Sequence, residues 1–525
     1  MKGEIYEMLN KQWKSACKVI LMQEIGELKE YEGWLRESLE PLSIEKSGIS
    51  GKKILAVGNY PKGIKFISFD EVDQGKKFQP LSINDIKDID GIADAVRERA
   101  SYCGNIVLGN SSQIEHSTGI EDSHFMLGSH TFHKSEYIAH CTLGRETSHA
   151  FGSSFIGESS FLIKSDNIWR TARCFCSSWV YESSDAHYSH GLNGCFDCMF
   201  CFGLRGAKNC VGNVQLEKGK YAELKTKLLV EITAELKKRK RLAFVTEIVP
   251  KKKTTLQFRP TPEKAKESDF GAIEAAFSKA CELIFGRSIG SILPLEKYLL
   301  RNVRGSSAHS SALSGTPVFA GSMQLDLERV KTGRLATFYE LLGMSKIRES
   351  PEGVKMENIR LSNIQNLIEP IAYFSTEEET QSKNIIECPT ANCASDCFRC
   401  NRTYYVKYCA LSFWPRNSEH MFGCDSTRNS SFCIKCHNSY KLGRCFEADT
   451  SQNCTGCYFI HNCENVHDSM FCFNVKNLRY AIGNAEVGRE KFMQAKEALQ
   501  KYIIERLERS NALELDIFNI GHCKN

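Results

Sequence analysis

The chain has 525 residues, 42% apolar and 25% charged, with only 12 prolines, which excludes a mainly disordered polymer. Its net charge of +5 is too small for the whole surface to act as a polyanion binder. No stretch approaches the roughly 18 consecutive apolar residues of a membrane helix, and Glu4, Glu7 and Lys11 break up any signal-peptide core, so a cytoplasmic protein with no membrane partner is expected.

Apolar spacing predicts helices over 3–40, followed by a strand or hairpin that pairs Ile54–Val57 with Ile64–Phe69. Together they form an amino-terminal α+β part, 1–104. From Ser111 a six-residue period takes over. Its first position reads Ser111, Ser117, Ser123, Ser129, Ser135, Cys141, Thr147 and onward to Ala207, and is always Ser, Thr, Cys or Ala. Its fourth position, from Ile114, Ile120, Met126 and Phe132 to Cys210, is apolar or small. Such a period predicts a parallel β-solenoid over 105–216, with the small residue at a bend and the larger one filling the interior. Three faces would make 18-residue coils. The pattern resembles hexapeptide-repeat left-handed β-helices. Here, however, the small residue stands three places before the aliphatic one instead of two, so handedness is not set by the sequence.

After Glu217, the residues Tyr221, Leu224, Leu228, Ile232 and Leu236 recur at helical spacing and predict a capping helix over 217–245. Lys237, Lys238, Arg239, Lys240 and Arg241 end it, and Lys251, Lys252 and Lys253 follow in a polar, proline-marked linker over 246–269. Then the plan repeats. Residues 399–513 align on 128–242 without gaps at an offset of 271: Phe151-Gly152 falls on Phe422-Gly423, Ile163-Lys164 on Ile434-Lys435, and Met199-Phe200-Cys201-Phe202 on Met470-Phe471-Cys472-Phe473. The amino-terminal parts align at 264, with Ala16-Cys17 on Ala280-Cys281. A tandem duplication of one α+β unit is the expectation. In the second copy the amino-terminal part is 270–381, with Val318–Ala320 pairing Met323–Leu325; the solenoid is 382–487, and the capping helix and tail are 488–525.

At Cys201-Phe202-Gly203-Leu204-Arg205 through Cys210, Asn213, Gln215, Tyr221 and Leu224, the chain resembles uncharacterised cysteine-rich repeat proteins of candidate-phylum bacteria and archaea. That resemblance covers the stretch before the helix clearly and the solenoids loosely, and it implies no activity. The zinc-ribbon amino terminus of those proteins has no counterpart in this sequence.

Twenty-four cysteines invite a metal reading. Cys195, Cys198 and Cys201, and above all Cys433, Cys436, Cys454 and Cys457, have C-x-x-C spacing suited to zinc or an iron–sulfur cluster. Cys436 and Cys454 also lie 18 residues apart, one proposed coil. The hexad offers a plainer account: its first and fourth positions are three apart, so packing cysteines produce C-x-x-C automatically. No cofactor is expected on that account, with metal as the alternative. The basic run from Lys237 to Lys253 would suit RNA or a ribosome, or simply a solvated helix end. His149 and His420, and His190 and His461, are shared between copies and stand out for that reason. With no phosphate loop, GxSxG elbow or HExxH helix, the sequence is read as a non-enzymatic scaffold or interaction protein that self-assembles or docks a protein partner. A metal or redox protein and an RNA-associated factor are the alternatives.

Overall fold

Four-residue strands recur along the chain, each pairing in parallel with a strand 12 residues away: Glu136 with Ser148, Ser148 with Ser160, and Ser160 with Ala172. The computed structural model describes residues 2–37, 39–58, 60–82, 88–249, 269–321 and 333–522. Alternate strands stack into a ten-stranded and an eight-stranded sheet in the first half, and into one twelve-stranded sheet in the second. The fold is α+β, with long sheets of short repeated strands compatible with a β-solenoid. We call the two strand stacks, with the helices on them, lobe 1 and lobe 2.

The expected 18-residue coil is corrected to 12. The cause lies in the backbone: in the coil from Ser129 to His140, Thr131, Lys134, Tyr137 and His140 all have φ between 48° and 60°. A left-handed residue at every third position bends the chain four times per coil and closes it in two hexads. Hexad positions one and four do point inward, as expected. Ser123, Met126, Ser129, Ile138 and Cys141 are all fully buried.

The structure also explains why position one interchanges Ser and Cys. Ser129 Oγ donates to the Leu127 carbonyl (3.0 Å) and accepts the Cys141 N–H (3.1 Å). One coil on, Cys141 Sγ donates to the Ala139 carbonyl and accepts the Ser153 N–H, both at 3.3 Å. A small side chain that both donates and accepts satisfies backbone groups that the bend leaves unpaired.

Helix α1 (Lys2–Leu21) lies across the ten-stranded sheet, with Trp13 edge-on to Phe151 at 5.3 Å. Helix α2 (Lys218–Arg239) follows the last coil and lies against the segment after α1, where Gln23 meets Thr233. Lobe 2 repeats this layout with α3 (Phe270–Phe285), whose Phe277 is edge-on to Phe422 at 5.1 Å, and α4 (Arg489–Ser510). Among the described residues no helix is long and apolar enough to cross a membrane.

The predicted hairpins form with different partners. Lys53–Ala56 pairs antiparallel with Ser43–Lys46, and Phe66–Ser68 pairs in parallel with Tyr102–Gly104. Pro317–Gly321 pairs with Ser306–Ser310, and Met323–Leu325 lie outside the described residues.

Candidate functional site at the lobe interface

The segment following each amino-terminal helix reaches across to the other stack. Ile54, Phe66, Ile92, Val96 and Tyr102 lie in the apolar core of lobe 2, and Leu335, Ile364, Leu367, Ile371 and Phe374 in that of lobe 1. Two histidines make the exchange specific. His461 Nε2 accepts the Cys103 N–H at 2.9 Å, and Tyr102 sits edge-on to that imidazole at 5.1 Å. His190 Nε2 accepts the Ser375 N–H at 3.1 Å, with Phe374 edge-on at 4.9 Å. Because Nε2 accepts, Nδ1 carries the proton and donates to Asp449 in lobe 2 and to Ser178 in lobe 1, both at 2.8 Å. Burial pushes His190 down to about 3, which keeps it neutral.

The other shared pair belongs to aromatic ladders at one-coil spacing. Phe125, Tyr137, His149 and Phe161 stack in turn at 5.2, 5.0 and 4.6 Å, and Tyr408, His420 and Phe432 at 5.1 and 4.4 Å. Both pairs of shared histidines therefore serve packing.

The cysteines singled out by spacing form columns rather than a ligand cage. With a 12-residue coil, Cys433, Cys445 and Cys457 share one column, while Cys436 stacks above Cys424 and Cys454 above Leu442. The supposed one-coil relation of Cys436 to Cys454 does not exist. Cys433, Cys436, Cys454 and Cys457 are fully buried, and each thiol reaches a backbone carbonyl at 3.2–3.5 Å.

Cys195, Cys198 and Cys201 do meet, together with Cys210, which C-x-x-C spacing alone did not pick out. The Cys198 thiol contacts the other three and is itself pushed up, while Cys195 is drawn down to about 7 by its bond to Cys198. A tetrahedral zinc site needs sulfurs about 3.8 Å apart. Among the described residues the only set of three or more Cys, His, Asp and Glu ligand atoms mutually within 4.8 Å is Glu121, Asp122 and His133. Arg428 already holds Glu121 at 2.9 Å, and the Asn110 N–H holds Asp122, so a cation there would face a guanidinium.

The basic run is largely matched by acids. Lys240 meets Glu30 at 2.6 Å, Arg241 meets Glu37 at 2.7 Å, and Arg239 meets Glu235 at 2.6 Å. Lys237 donates to Gln23 at 3.0 Å, and Lys238 is exposed. Lys251, Lys252 and Lys253 lie outside the described residues.

What sequence reasoning missed is a cavity of about 180 Å³ between the eight-stranded face of lobe 1 and the facing coils of lobe 2. Arg145 and Arg416 line it beside Arg428, with Tyr60, Phe132, Trp414 and Tyr440 supplying aromatic wall. Arg428 is paired with Glu121, and Lys476 with Glu464. Arg145 reaches Glu158 at 3.4 Å and lies 4.4 Å over Trp169. Arg416 lies 4.0 Å over Trp414, and its buried Nε has no hydrogen-bond partner. Burial, with Arg428 and Arg145 nearby, draws Arg416 down to about 9. Among the described residues no acid pairs with Arg416, since Glu121 and Glu464, which also line the cavity, are held by Arg428 and Lys476. Comparison with protein-family models, curated proteins and solved structures found no match for the chain.

Proposed function

We propose that the chain is a non-enzymatic scaffold that works by binding. It is a tandem duplication of one unit, a helix-covered β-solenoid closed by a carboxy-terminal capping helix, fused so that each unit's amino-terminal segment locks the other's stack. Such reciprocal contact is the form a two-fold interface takes. The observation that carries the reading is the matched pair of bonds, Cys103 to His461 and Ser375 to His190. They support one body from two halves, while the histidines and cysteines with chemical potential serve its internal bonding. Surface for docking a protein partner or a second copy is supplied by rows at one-coil spacing, such as Asn453, Asn465 and Asn477, whose amides bond in sequence.

The test is cooperative unfolding. Scanning calorimetry is expected to show a single transition for both lobes. His461→Leu leaves the Cys103 N–H buried without an acceptor, a loss of about 1–3 kcal/mol. It should lower that transition and raise hydrogen exchange in both lobes together. Two independent transitions, with exchange rising in lobe 2 alone, would overturn the single-body scaffold.

A further inference from the structure

The lobe interface is symmetric in plan and asymmetric in filling. At the offset of 271, Arg145 is the counterpart of Arg416, so the interface has two equivalent halves on either side of them. One half is plugged. Arg402, only 2% exposed, lies 3.7 Å over Phe155 and 5.9 Å over Trp179, and donates to Asn167 at 2.9 Å. Tyr181 and Tyr404 complete the plug.

The counterparts of these five side chains are Thr131, Ser426, Thr450, Gln452 and His133, in the order Arg402, Phe155, Trp179, Tyr181, Tyr404. All five line the cavity. The open half is therefore the plugged half with its large side chains replaced by small or polar ones. One further difference falls on charge. Glu158, which faces Arg145, has Asn429 as its counterpart, and Arg416 is left without an acid.

A void of this size at an interface forfeits packing, and close guanidiniums repel one another in a partly dehydrated site. Both losses reverse if the cavity holds an anion that also fills it. The geometry points to a small-molecule site in the open half, taking one small organic carboxylate with a planar apolar ring. Size sets the scale: an apolar cavity of about 150 Å³ holds benzene, so 180 Å³ takes one ring bearing a carboxylate. Charge sets the head group, because a guanidinium pairs a carboxylate through two parallel hydrogen bonds. Phe132, Tyr440, Ile106 and Leu108 line the cavity as apolar wall for the ring. The inference rests on the scaffold reading only for the pairing of counterparts, and a failed titration leaves the calorimetric test of that reading untouched.

The experiment is calorimetric titration of the whole chain with sodium benzoate as probe, beside benzyl alcohol, benzylamine and acetate. Saturable binding of one benzoate per chain is expected, with benzylamine not binding and with benzyl alcohol and acetate each weaker. Arg416→Gln should weaken benzoate at least about tenfold, the worth of a charged hydrogen bond. Ser426→Phe with Thr450→Trp rebuilds part of the plug and should abolish binding in a folded protein. Absence of saturable binding overturns the site, as does equal affinity in Arg416→Gln. Acetate binding as tightly as benzoate overturns the assigned ring. If the double variant does not fold, Arg416→Gln still decides.

Discussion

Burial pushes the His190 imidazole down to about 3 from an ordinary 6.5, and its environment is built for the neutral ring: Ser375 donates to Nε2, Ser178 accepts from Nδ1, and Arg205 stands nearby. Between those pH values the unfolded chain binds a proton that the folded chain refuses. The stability this histidine contributes is therefore complete above 6.5 and is lost as pH falls toward 3. His130 behaves alike, also pushed to about 3, and His140 and His187 to about 4. Glu447 works the other way. Burial raises it from 4.5 to about 7, so its share is present below 4.5 and lost as pH rises through 7. Comparing wild type with His190→Gln cancels Glu447 and isolates one site. In urea unfolding across that window, the variant's stability should rise with pH less steeply by about 1.4 kcal/mol per pH unit. Equal slopes would mean that His190 is charged in the fold.

The Phe-Gly pairs at Phe151-Gly152 and Phe422-Gly423 acquire their meaning at the scale of the element. Gly152 and Gly423 both hold φ near 65–68° at a bend, where the covering segment of the same lobe comes closest. A Cβ on Gly152 would stand 2.9 Å from Leu35 Cα, and one on Gly423 would stand 2.8 Å from the Leu299 carbonyl oxygen. Gly152→Ala adds overlap to left-handed strain and should cost about 2–4 kcal/mol. Gly206→Ala, with φ of 57° and open space around it, should cost only the strain, about 1–2 kcal/mol. Thermal melting of both variants checks the difference, and equal losses would remove the close approach as the reason for glycine.

The hexad, its inward columns and the long helices of the described residues were legible in the sequence, because burial acts on every unit alike. Coil length was not, since 12 and 18 are both multiples of six. The left-handed bends were masked by Phe125, Tyr137, Leu143 and Trp179, residues that do not advertise positive φ. Among the described residues with positive φ other than glycine there is no Val or Ile, though the β-branched Thr131 and Thr450 are among them, so composition gives only a faint hint. The partners of the predicted hairpins were hidden because Phe66–Ser68 waits for Tyr102–Gly104, far along the chain.

At the scale of the whole molecule, the halves are joined twice, once by the peptide chain between them and once by exchanged segments. His190 and His461 stood out in the sequence only as residues shared by the aligned halves, not as marks of an exchange. Their partners did not, because Cys103 and Ser375 contribute only backbone N–H groups. The cavity was equally hidden, for it shows only where the aligned halves differ, whereas an alignment draws the eye to where they agree. If the exchanged segments hold the lobes, the connecting peptide supplies only proximity, worth an effective concentration of order millimolar. The rest comes from contacts between the fragments that survive cutting: Tyr102 bonded to the Ile517 carbonyl at 2.5 Å, Arg304 paired with Glu40, and Arg402 bonded to Asn167. A protease site placed between residues 250 and 268 and cleaved after folding should therefore give two fragments that co-elute. Their melting midpoint should depend on concentration, as for any bimolecular complex. Fragments that separate on dilution to about a micromolar would show that the exchanged segments contribute less than the roughly 8 kcal/mol such persistence requires, and that the covalent link keeps the lobes together.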